Sequence, residues 1–129
     1  MACDNRHGSL CLTGAAQAWR LGDSAALAWA DEAARGNAHR EDLLAFGQAF
    51  RLALGATDVA PASIAAALGA AHPRHRLQIC ALMAFARPET RGLWGDRVGP
   101  PEPNVPGSTR LEVLSPDECA RMLAGRPPW

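Results

Sequence analysis

The chain has 129 residues, enough for one domain that buries roughly two-thirds of its unfolded surface. Its 48% apolar fraction rests on 27 alanines, which favour helix over strand, and its 13 acidic and 13 basic residues cancel. Every basic residue is an arginine and neither lysine nor tyrosine occurs, so Schiff-base lysines, P-loop lysines and tyrosine general acids are excluded.

The first predicted element is a helix over 9–21, "SLCLTGAAQAWRL", weakened by Gly14 and ended at Gly22. Asp23 is the expected N-cap of a second helix that runs to Arg35 and stops at Gly36. A third starts at Asn37 or His39, carries Glu41 and Asp42 in its first turn, and ends near Gly55. Its Leu43, Phe46, Phe50 and Leu54 recur every three or four residues, the spacing of an amphipathic helix. Asp58 as cap and Pro61 in the first turn mark a short fourth helix.

His72-Pro73 begins the fifth helix, whose Leu77, Ile79, Cys80, Leu82, Met83 and Phe85 leave almost no polar face. Such a helix belongs at the centre of a bundle, and Pro88 should end or kink it. Residues 99–108, "GPPEPNVPGS", form a stiff linker or wrapping arm. "TRLEVL" then alternates like one short strand, which pairs with another chain or is merely extended. Ser115, Pro116 and Glu118 spell the capping box of a final helix. The division expected is a helical domain over 1–98, an arm over 99–109 and a C-terminal segment over 110–129. The fold class is all-α, a compact bundle of about five to six helices plus the C-terminal helix.

The stretches "LLAFGQAF", "DVAPASIAAALGAAHPRHR", "LQICALMAF" and "DRVGPPEP" follow one another between Arg40 and Pro103. Their order resembles the C-terminal portion of the alkylhydroperoxidase D-like family, also called carboxymuconolactone decarboxylase-like, over about half the chain. The resemblance implies an all-α, usually oligomeric protein. Redox members of that family carry Cys-x-x-Cys followed shortly by His. Cys11 matches the second cysteine, whereas Gly8 stands at the first and Gly14 or Ala15 at the histidine. No glutamate precedes Cys11 to match the family's proton relay. The resemblance therefore implies a degenerate member without the paired-thiol chemistry.

Cys3, His7 and Cys11 are spaced four and four. In a helix over 3–11 their ends would be about 12 Å apart, too far for one metal or a disulfide, so only a loop can join Cys3 to Cys11. With no signal peptide or apolar 18-residue run in view, the protein is expected to be cytoplasmic, its four cysteines reduced. Cys11, near a helix start with Arg6 and His7 beside it, is either an activated thiolate or a buried small hydrophobe. Cys80 and Cys119 read as packing. His72 and His75 reach zinc only with a third ligand such as His39 or Cys3, and otherwise cap or face solvent. "HRED" at 39–42 is a solvated helix start or a proton-transfer site.

Trp19, Trp29 and Trp94 are candidates for lining a cleft or filling the core. The expectation is thus a protein that binds a small apolar or aromatic molecule through Trp19, Trp29 and Trp94. Non-redox proton transfer there would fall to His39, Glu41 and His75, with His7 and Cys11 as further catalytic candidates. A non-catalytic subunit gripping a protein partner with its C-terminal arm, and a thiol enzyme dependent on Cys11, alone or with Cys3, are the alternatives. No cofactor and no metal is expected. A homo-oligomer or protein partner is expected, and the neutral charge argues against nucleic acid. The arginine bias fits a GC-rich, bacterial genome.

Overall fold

A computed structural model describes residues 8–36, 41–101, 106, 108 and 110–129. The described residues are all-helical, with seven α-helices among them: α1 Gly8–Arg20, α2 Ala26–Gly36, α3 Glu41–Ala53, α4 Pro61–Ala67, α5 Pro73–Ala86, α6 Pro88–Trp94 and α7 Pro116–Leu123. Short 3₁₀ turns, Leu68–Ala70 and Gly95–Arg97, extend α4 and α6. No strand occurs among the described residues.

Alanine builds this bundle by letting helices approach closely. Ala15, Ala16, Ala30, Ala33, Ala45 and Ala49 are all buried on the facing sides of α1, α2 and α3. A Cβ at Gly47 would lie 3.1 Å from the Ala34 backbone, which sets how closely α2 and α3 cross. α5 runs through the middle, with Ile79, Cys80, Ala81, Leu82, Met83 and Ala84 buried. The central place expected for the fifth helix is thus taken by its stretch 79–84, whereas Pro73 and Arg74 are exposed and 75–78 half-buried. α1 closes as a Schellman motif, in which Gly22 N donates to the Trp19 carbonyl and Asp23 N to the Ala18 carbonyl. The Gly22 φ of 69° is open to a residue without a Cβ.

One expected cap is made and one takes other work. Asp23 caps the turn that leads into α2: its Oδ1 accepts from Ala25 N and its carbonyl from Ala26 N. The N-cap of α4 is Ala60, with no side-chain bond, while Asp58 turns away to Arg51. Arg51 is the junction of this side of the bundle. It donates to Asp31 of α2 at 2.7 Å, to Gln48 at 3.0 Å, and to both oxygens of Asp58 at 2.7 and 2.8 Å. Asp58 first and then Asp31 raise the Arg51 pKa, and Arg51 in turn holds Asp58 below the usual carboxylate range.

Pro88 does end α5, but it also opens a helix the sequence did not announce. Arg87 is extended, as a residue before proline prefers, and Pro88 occupies the first turn of α6. The alternating segment 110–114 has no regular secondary structure within this chain. Leu111 and Leu114 are buried and Val113 is exposed, against strict alternation, and Leu114 N donates to the Leu77 carbonyl of α5. Leu111, Leu114, Cys119 and Met122 join the same apolar cluster as α1, α3 and α5. Pro101 is also fully buried. The face that α7 buries is thus covered by its own chain.

Candidate functional site

Leu12, Thr13 and Ala16 of α1, Leu43, Phe46 and Phe50 of α3, His75 and Gln78 of α5, and Leu111 surround a cavity of about 180 Å³. The helical stripes explain its walls. Phe46 and Phe50, one turn apart, stack with ring centroids 5.5 Å apart and planes 8° from parallel. His75 meets Phe46 edge-on at 5.0 Å and lies 5.6 Å from His72, whose Nδ1 accepts from Arg74 N as the cap of α5. Leu12, Leu43, Phe46, Phe50 and Leu111 are buried, whereas His75 and Gln78 are half-buried and supply most of the polarity. An apolar chamber with a few convergent polar groups is what a small-molecule site requires.

Of the catalytic candidates among the described residues, His75 alone lines this cavity. Cys11 stands beside it in the chain, in the first turn of α1, and is 1% exposed. His7, His39 and Cys3 lie outside the described residues, and so does the side chain of Glu41, which opens α3. The tryptophans do not converge. Trp19 packs edge-on against Phe85 at 5.1 Å and Phe50 at 6.1 Å. Trp29 lies on α1 at Gly14, and buried Trp94 sits where α6 faces α7. Sequence reading placed Phe46 and Phe50 in the core stripe and passed over Gln78. Yet Gln78 is the single polar residue in the run 77–86, a visible irregularity in an otherwise apolar helix.

Cys11 is held in a disulfide, which corrects the expectation of four reduced cysteines. Cys80 and Cys119 are free thiols, so the partner of Cys11 lies outside the described residues. The geometric objection to a disulfide holds only for a helix across the whole of 3–11, of which the described part is 8–11. Cys80 and Cys119 are neighbours between α5 and α7, and Cys119 Sγ donates to the Leu114 carbonyl at 3.9 Å. The Cys119 thiol beside it and burial push the Cys80 thiol well above its ordinary range, so it acts as packing at neutral pH.

Among the described residues, no group of three or more His, Cys, Asp or Glu side chains can hold a metal ion. Nor is any helix among them long and apolar enough to cross a membrane. No protein-family model, curated protein or solved structure matches the chain.

Proposed function

We propose that this protein binds a compact apolar or aromatic molecule in the chamber between α1, α3 and α5. The observation that carries the reading is the cavity itself, walled by buried leucine and phenylalanine and edged by His75 and Gln78. Its volume of about 180 Å³ suits a single ring, since a chamber of about 150 Å³ suffices for benzene. Gln78 offers an amide for orientation, and the His75 imidazole offers ring nitrogens as the proton-transfer group. A lactone or enol would find both functions at one edge of an apolar seat. That supports proton-transfer, lyase- or isomerase-like chemistry, in line with the resemblance to the carboxymuconolactone decarboxylase-like family.

The experiment is a thermal-shift series with uncharged single-ring lactones and phenols. A binder raises the melting temperature with concentration. Ala16→Leu, which adds bulk to the cavity wall, should remove the shift, and His75→Gln should leave binding but abolish turnover. A panel that never moves the melting temperature, or shifts that persist in Ala16→Leu, overturns the reading.

The disulfide at Cys11 favours a second reading, thiol–disulfide exchange beside the same chamber. Exchange needs access to the sulfur, and Cys11 is 1% exposed, so this chemistry requires α1 to open. Reduction rates that follow global unfolding would leave the disulfide a staple rather than a reagent.

A further inference from the structure

A second cleft, of about 360 Å³, lies between α6 and α7 and shares none of the residues that wall the first. Trp94 lines it and is 2% exposed, and its indole Nε1–H is buried without an acceptor. Buried donors are almost always satisfied, so an orphan at a cleft points to something that completes it. Leu93 and Leu123, 39% and 45% exposed, also line the cleft and present apolar surface beside Met122. Two cations flank it. Arg87 is already paired with Glu89 at 3.1 Å. Arg126 makes no ion pair among the described residues, and its backbone is held by the Schellman closure of α7. There Arg126 N donates to the Arg121 carbonyl and Gly125 N to the Met122 carbonyl.

We propose that this cleft binds a small organic carboxylate with an apolar body. The carboxylate accepts from the Arg126 guanidinium and, with a side-chain shift that opens the sealed indole, from Trp94 Nε1–H, and the body lies on Leu93, Met122 and Leu123. A carboxylate is acceptor-only, which suits one indole N–H and one planar guanidinium fork. A phosphate brings more charge than one unpaired arginine neutralises and would lie against Glu89. A neutral ligand leaves Arg126 unused. The site is independent of the chamber at His75.

The test uses the full chain labelled with ¹⁵N, the Trp94 indole signal being assigned through Trp94→Phe. Hexanoate and phenylacetate are titrated in, with hexanol and phenylethanol as uncharged controls. The Trp94 indole signal should move saturably with the acids, and Arg126→Gln should weaken their binding about tenfold. Arg126 is exposed beyond the end of α7, so an unchanged melting temperature certifies the fold of that variant. Ala16→Leu should leave carboxylate binding intact, which separates this site from the first chamber. The proposal is overturned if millimolar acid leaves the indole signal still, meaning that water alone fills the cleft. It also fails if the alcohols bind as tightly, or if Arg126→Gln changes nothing.

Discussion

A methyl group at Gly14 would sit 2.6 Å from Trp29 Cε3, well inside van der Waals contact, whereas one at Gly92 would meet nothing within 4 Å. Both glycines lie inside helices, α1 and α6, where alanine is favoured by about 1 kcal/mol. The two Gly→Ala variants should therefore move in opposite directions. Gly92→Ala should gain up to about 1 kcal/mol. Gly14→Ala should lose about 1 kcal/mol net, because overpacking a helix crossing costs about 1–3 kcal/mol. Denaturant midpoints measure both, and a stabilised Gly14→Ala would mean that Trp29 swings aside freely. In the sequence Gly14 reads only as a flaw in its helix. Its purpose depends on a side chain fifteen positions later, on a helix whose crossing angle no local pattern records. His75 illustrates the same gap: its place at a helix start was legible, but the ring of Phe46 against it was not.

At the level of the element, α7 was legible almost completely. Ser115 Oγ accepts from Glu118 N, and the Glu118 carboxylate accepts from Ser115 N. What could not be read is the third partner, Arg97, which lies 21 positions back and donates to both Glu118 oxygens at 2.6 and 3.0 Å. Arg97 first, then the Ser115 backbone, hold the Glu118 pKa at about 2, below its ordinary 4.5. A carboxyl whose pKa is depressed on folding stabilises the fold above the unfolded value and loses that contribution as pH falls through the folded one. The stability that Glu118 supplies should thus be whole above pH 4.5 and drain away between about 4.5 and 2. Melting temperatures across that window should fall more steeply for the parent chain than for Glu118→Gln. Equal slopes would remove Glu118 from the acid response. α6, by contrast, was missed because Pro88 carries two meanings. The same ring that forbids α5 to continue is well placed to start the next helix, and only the turn at Arg87 decides between them.

For the whole molecule, the all-α class and the central place of α5 followed from composition and from an apolar stretch without a polar face. Neither depends on knowing which helices touch. The fate of the tryptophans does depend on it: composition states how much ring surface must be buried, not at which crossing. The same limit applies to the C-terminal segment, whose prolines suggest a stiff linker or wrapping arm but not what it lies against. Leu114 is fully buried, is tied through its N–H to Leu77 of α5, and belongs to one cluster that also contains Ala30 of α2. Such sharing predicts one cooperative unit. Leu114→Ala should cost about 3 kcal/mol through the cavity it leaves. It should lower the slowest amide-exchange protection at Ala30 and at Cys119 together, because both report the same global opening. If α7 instead peels away as an independent arm, Cys119 alone loses protection, Ala30 keeps its own, and the loss at Cys119 appears with no change in the unfolding midpoint of the bundle.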